Sequence, residues 1–301
     1  MPSTAVTTGF SGSGSALGRM TADLAMPVRM RQQMWAVRPD GGPDELHARI
    51  VEIGGDSPSA WADVPPVVFL HGLVGLNDHW EEVVRRIQHR VRCVLFELPL
   101  LRLEGDDCSI TGVTHLTARF LREYIGGPSI LVGNSFGGHV ALRLGIAEQG
   151  LVHQLVLAGS SGLIEKSIVA NVQIRPSRAW LAKKIGELFY DQAYMRQSDL
   201  DRAHAELSER HGARAMVKLS RSARRDVLRG QVGQITAPTL LLWGKQDIVT
   251  PTEAAVGFAE QIKGSKLVWF DRCGHVPMIE APDQFAEEML EFLGAHRPSR
   301  V

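Results

Sequence analysis

Apolar residues gather in short runs along this chain. Val67 to Leu70, Cys93 to Phe96, Ile130 to Val132, Leu155 to Leu157, Leu240 to Trp243 and Leu267 to Phe270 are each of strand length and rich in Val, Ile, Leu and Phe. Runs apolar at every position belong to strands covered on both faces, as in a parallel sheet. Between them the period becomes helical: Trp80, Val83, Val84 and Ile87 form one stripe, and Phe285, Met289, Phe292 and Leu293 another. This alternation predicts an α/β fold, a mostly parallel central sheet flanked by helices with right-handed crossovers. His47 to Ile53 is an earlier strand candidate, expected as an antiparallel edge.

The rhythm fails between Ser160 and Thr236, where polar helical stretches carry Trp180, Phe189, Tyr190 and Tyr194. An inserted helical cap is expected over residues 160–236, with the α/β core in 31–159 and 237–301. Arg221, Arg224, Arg225 and Arg229 crowd around Asp226 in the cap, as a solvated helix face or an anion site. Residues 1–30 begin with a stretch rich in Ser, Thr and Gly and are expected to form a flexible tail, without the positive segment and apolar run of a secretory signal. No apolar run approaches the roughly 18 to 20 residues of a membrane span.

Composition narrows the class further. The 301 residues are 44% hydrophobic, with 33 Lys and Arg against 33 Asp and Glu. A net charge of zero gives no whole-molecule field toward nucleic acid or an anionic membrane, so a small-molecule partner is expected. Three cysteines with no CxxC pair argue against a disulfide framework and a structural zinc site, and for a reducing, cytoplasmic compartment. Nothing in the sequence bears on oligomeric state.

The most specific chemical signal is Gly133-Asn134-Ser135-Phe136-Gly137, which follows one strand candidate and opens a helical run. A serine on such a tight turn needs small residues two before and two after it, and Gly133 and Gly137 supply them. The alternative is a plain turn or N-cap serine. A serine hydroxyl needs a base, and that base an orienting acid. His275, in Cys273-Gly274-His275-Val276-Pro277 just past the last strand candidate, is the candidate base, since α/β sheets place sites at the carboxyl ends of strands. Asp247, on the turn after Leu240 to Trp243, is the candidate acid. It competes with a capping role before the helix near Thr250-Pro251, for which Thr250 is better placed. The loop one strand earlier, Gly159-Ser160-Ser161-Gly162, has no carboxylate before Glu165. For an oxyanion hole the candidates are the N–H of Phe136 and that of Leu73, in His71-Gly72-Leu73-Val74-Gly75.

With these motifs in place, the chain from about Val64 to Leu293 resembles the α/β-hydrolase superfamily. FLHGLVG, VGNSFGG, LLWGKQDIVTP and DRCGHVPMIEAP look like its oxyanion loop, nucleophile elbow, acid loop and histidine loop. The resemblance implies eight strands with a helical cap after the sixth. It also implies acyl-enzyme hydrolysis of a small-molecule ester by Ser135, His275 and Asp247, with no metal or organic cofactor required. The GNSxGG elbow is similar both to that of carbon–carbon bond hydrolases of meta-cleavage products and to that of small carboxylesterases. His71 to Gly75 is shorter than the carbon–carbon hydrolase loop, and Glu97-Leu98-Pro99 stands where the family often has Asp-Pro and a Gly-x-Gly turn. A serine at the elbow sets the chain apart from dehalogenases and epoxide hydrolases, which use aspartate. A ligand receptor on a hydrolase scaffold, or a cap that recruits a protein partner by salt-sensitive binding to Arg221, Arg224, Arg225 and Arg229, is a further alternative.

Overall fold

The protein is described by a computed structural model covering residues 30–38, 45–54, 63–164 and 176–296. Its centre is an eight-stranded sheet in the order β1-β2-β4-β3-β5-β6-β7-β8. The strands are β1 (Met30–Ala36), β2 (His47–Ile53), β3 (Val67–Leu70), β4 (Cys93–Glu97), β5 (Ser129–Asn134), β6 (Val152–Ala158), β7 (Thr239–Gly244) and β8 (Lys266–Phe270). β3 to β8 run parallel, while β1 and β2 pair antiparallel.

The apolar runs become strands because the sheet is sandwiched between two cores. Phe69, Leu95, Val132, Val156 and Leu242 point into one core, which they share with Trp80, Phe285 and Met289. Their neighbours Val68, Val94, Leu131, Leu157 and Leu241 point into the other, with Phe120, Val140 and Phe258. Every position of β3, β5 and β7 is therefore buried. The first core is closed by α1 (Glu81–Ile87) and, at the chain's end, by the long helix Pro282–Ala295; the second by α2 (Ile110–Phe120), α3 (Phe136–Ala147) and the helix Thr252–Gln261.

One expectation needs correction. His47 to Ile53 is antiparallel but does not form the edge, because β1 covers it in full register from Met30↔Ile53 to Ala36↔His47. In β1, MRQQMWA, the polar residues Arg31, Gln32 and Gln33 break the apolar sequence and Arg31 to Met34 are exposed, as an edge strand facing water can be, so no apolar run marks it. The expected tail falls on residues 1–29, outside the described residues, and Met30 already belongs to β1.

Between β6 and β7 the described chain carries α4 (Arg178–Gly186), α5 (Gln197–Ser208) and α6 (Arg210–Arg225). Later come α7 (Thr252–Gln261), the short α8 (Pro277–Glu280) and α9 (Pro282–Ala295). Ser177 caps α4 by accepting from the Trp180 N–H, and buried Leu181, Leu200, Leu207 and Met216 dock the three β6–β7 helices onto the first core. Among the described residues no helix is long and apolar enough to cross a membrane.

Candidate active site

The strand order reverses at β3, whose neighbours are β4 on one side and β5 on the other. Crevices beyond the carboxyl ends of strands at such a switch point are where open α/β sheets bind ligands. His71 leaves β3 there and Ser135 leaves β5.

Ser135 holds φ 55 and ψ −116, a left-handed backbone that costs a non-glycine residue about 1–3 kcal/mol. The neighbours enforce it. A Cβ at Gly137 would sit 2.3 Å from the Leu70 carbonyl oxygen, and one at Gly133 2.5 Å from that of Gly137, so strand and helix meet this closely only with glycine at both places. Phe136 opens α3, and its N–H is among the helix's first donors, which have no partner within the helix. Asn134 Nδ2 fastens the turn by donating to the carbonyls of Ala158 (2.9 Å) and His275 (3.0 Å).

The loop Gly72 to Gly75 is a turn closed by Gly75 N–H to Gly72 O at 3.1 Å. His71 Nδ1 donates to the same oxygen at 2.8 Å. Because a trans peptide is planar, two donors on the Gly72 carbonyl also fix the direction of the Leu73 N–H in that peptide. Burial lowers the His71 pKa, which favours the neutral ring, and with this acceptor the proton belongs on Nδ1.

His275 Nδ1 lies 2.8 Å from Asp247 Oδ2, and both side chains are almost wholly buried. The carboxylate is further held by Val249 N–H (2.8 Å) and Thr250 N–H (3.0 Å) on Oδ1 and by the Thr250 hydroxyl (2.8 Å) on Oδ2. Thr250 was expected to cap the following helix. Instead α7 has Pro251 at its N-cap with no side-chain cap bond, and the Thr250 hydroxyl lies against Asp247, with the Gly159 carbonyl at 3.1 Å and His275 Nδ1 at 3.2 Å. Capping and carboxylate bracing call for the same residue types, so spacing alone does not separate them.

His275 is moored from a third direction. Its N–H donates to the Leu188 carbonyl, in the β6–β7 segment, at 2.7 Å. Glu280 accepts from Gly274 N–H (2.7 Å), Tyr190 N–H (2.9 Å) and Asp191 N–H (3.1 Å), tying the histidine loop to that segment. Burial nevertheless pushes the Glu280 carboxyl up. Nothing in the sequence pattern marks Glu280 for this task.

Ser135, His275 and Leu73 face one cavity of about 150 Å³. Its walls are mainly apolar, with Trp180, Leu181, Phe189, Leu207 and Met216 from the β6–β7 segment. Of the aromatic residues in this segment, Trp180 and Phe189 line it, whereas Tyr190 and Tyr194 are half exposed and do not. Asp247 lies behind His275, outside the lining.

One cluster has the composition of a metal site. Asp78, His79 and Asp199 offer ligand atoms within 4.8 Å of one another. Two guanidiniums occupy the same carboxylates: Arg202 lies 3.3 Å from Asp199 and Arg196 3.6 Å from Asp78. Burial raises the Asp199 carboxyl, but His79, Arg202 and Arg196 outweigh it and hold the group below its ordinary range. The cluster is an ion-pair joint between α5 and the loop after β3.

Comparison with known proteins agrees with this architecture. A family model described as the alpha/beta hydrolase family matches residues 67–288. A pimeloyl-[acyl-carrier protein] methyl ester esterase of Nitrosomonas europaea is 27% identical over 239 residues, covering 73% of this chain and 92% of that protein. A 2-hydroxy-6-oxo-6-(2'-aminophenyl)hexa-2,4-dienoic acid hydrolase of Metapseudomonas resinovorans is 26% identical over 252 residues, 76% of this chain and 83% of that one. Among solved structures, a bacterial membrane phospholipase A superposes with a TM-score of 0.73 at 23% identity, over 88% of this chain and 86% of the other. A serine hydrolase of carbazole degradation gives 0.71 at 21%, over 89% and 100%. With the family model spanning most of its length and the sheet order, elbow and loops above, this chain belongs to the alpha/beta hydrolase family and is an enzyme.

Proposed function

We propose that the enzyme cleaves small-molecule carboxylic esters through an acyl-enzyme on Ser135. The observation that carries this reading is the Asp247–His275 pair at 2.8 Å, buried, with its imidazole facing the same cavity as a serine on a strained turn. Asp247 holds the proton on His275 Nδ1, leaving Nε2 free to accept from the Ser135 hydroxyl as its oxygen attacks the ester carbonyl. The N–H groups of Leu73 and Phe136 receive the negative charge that develops on the carbonyl oxygen. The imidazolium then protonates the departing alkoxide, and water, deprotonated by the same ring, releases the acid. Every proton and charge is handled by the chain's own residues.

The β6–β7 helices act in this reading as a cap that sets specificity. A cavity of about 150 Å³ has room for a group the size of benzene, so a short acyl chain or a single ring fits against Leu181, Leu207 and Met216. The three cysteines are free and buried, which supports a reducing compartment. The dienoic acid hydrolase among the relatives supports a second reading, cleavage of a carbon–carbon bond by the same residues.

The test is hydrolysis of a p-nitrophenyl ester series by wild type and Ser135→Ala. Turnover that peaks at short acyl chains and falls about 10⁴- to 10⁶-fold in the variant is expected. Turnover unaffected by the substitution removes Ser135 from the scheme. Activity on a 2-hydroxy-6-oxo-dienoate without activity on any ester replaces the first reading by the second.

A further inference from the structure

Helix α6 has two working faces. Met216, Ser220 and Arg224 line the reaction cavity. Arg210, Arg214, Lys218, Arg221 and Arg225 are all exposed and line a separate surface groove of about 940 Å³. Spacings of four, four, three and four residues place the five cations on one helical face. Across the groove stands the start of α2 at Ser109 to Thr111, the positive end of that helix's dipole.

The sequence grouped Arg221, Arg224, Arg225 and Arg229 around Asp226, and the structure redistributes them. Arg224 lines the cavity and Arg229 lies beyond the helix, while Arg210, Arg214 and Lys218 join the row. Asp226 is the only carboxylate among the groove's described lining residues, and it is held by Arg143 and His139. Among the described residues no ion pair is found for Arg210, Arg214, Arg221 or Arg225. The groove therefore concentrates uncompensated positive charge on a chain whose net charge is zero.

We infer that this groove docks an acidic protein segment, a helix bearing carboxylates at intervals of three and four residues. The row from Arg210 to Arg225 extends about 22 Å at 1.5 Å per residue, too long for one small anion and matched by about four turns of a partner helix. Among the described residues no exposed large apolar side chain lines the groove, although an interfacial membrane site needs such groups to insert. No aromatic residue is among its described lining either, although single-stranded nucleic acid binds by stacking on such residues. A partner docked there lies against the outer face of the helix whose inner face walls the cavity.

This inference goes beyond ester hydrolysis and is tested by binding alone, so its failure is separate from that of the catalytic reading. The probe is a fluorescein-labelled helical peptide of about 16 residues with glutamates three and four apart. It is titrated with the full-length protein by fluorescence anisotropy at low and at physiological salt. Saturable binding is expected, weakening at least about tenfold as salt screens the contact. Arg214→Glu combined with Lys218→Glu is expected to weaken it at least about tenfold more. The milder pair Arg214→Gln and Lys218→Gln is read beside it should the charge reversal unfold the protein, as a thermal melt reports, and Arg229→Glu is expected to bind as wild type does. The inference is overturned if wild type fails to bind the peptide or if neither pair weakens binding. It is equally overturned if millimolar inorganic phosphate displaces the peptide fully, or if phosphatidylglycerol vesicles or oligo(dT) bind while the peptide does not.

Discussion

Replacing Thr250 by Val keeps the shape of the side chain and removes one donor from Asp247 Oδ2. Losing a hydrogen bond to a charged carboxylate, about 1.5–3 kcal/mol, is expected to lower kcat about 10- to 150-fold with KM unchanged, which steady-state kinetics on a p-nitrophenyl ester measures. An unchanged kcat would mean that the two backbone N–H groups on Oδ1 hold the acid by themselves. Asp226 supports a prediction about stability. Burial raises its carboxyl, but His139 and Arg143 outweigh it and bring it to about 2 from an ordinary 3.8. The stabilisation is complete above 3.8 and is lost as pH falls toward 2, because the unfolded chain takes up the proton first. Denaturant melts between about pH 4 and pH 2 are expected to fall more steeply for wild type than for Asp226→Asn. Ser135, His275 and Asp247 were legible as candidates because each stands in a short local pattern beside a strand end. Thr250 and Glu280 were not, since their partners are fixed only when separate strand ends and the β6–β7 segment meet.

Elements that bury both faces advertise themselves, and those that face water do not. β3, β5 and β7 appear as unbroken apolar runs, whereas β1 has only its pairing with β2 to define it and went unseen. The short α8 follows the same logic in reverse: Pro277 opens it, but its purpose lies in Glu280 at its end, where one carboxylate gathers three backbone donors from two segments. Truncation by Glu280→Ala orphans those donors, the Gly274 N–H among them in a buried position. At about 1–3 kcal/mol for a buried donor left unpaired, a loss of at least about 2 kcal/mol in denaturant stability is expected. Limited proteolysis should then cut first near Tyr190, and a variant as stable and as resistant as wild type would show that water replaces the carboxylate freely.

The described molecule is two cores separated by a sheet, with the cavity that Ser135 and His275 face between the sheet's carboxyl edge and the β6–β7 helices. That placement makes the cavity's size adjustable from the helix side without touching either core's sheet face. Met216→Trp adds bulk to the α6 wall, and the ester series is expected to shift toward acetyl and propionyl, with KM for longer chains rising about tenfold and kcat on acetate little changed. An unaltered chain-length profile would place the acyl group elsewhere, for instance in the neighbouring cavity of about 400 Å³ that shares Leu73, Val74 and Gly75.

The bond from the His275 N–H to the Leu188 carbonyl constrains how such an enzyme can diversify. A segment inserted between two strands is ordinarily the part that lineages exchange to gain new substrates. Here one peptide group of that insert holds the backbone of His275, the proposed proton carrier, so a transplanted insert inherits an obligation to present a carbonyl at that point. Chimaeras joined outside residues 188–191 would keep a working scaffold, and those cut within it would trade a new pocket for a displaced imidazole. Novelty is thereby steered toward α5 and α6 and away from the stretch that follows α4.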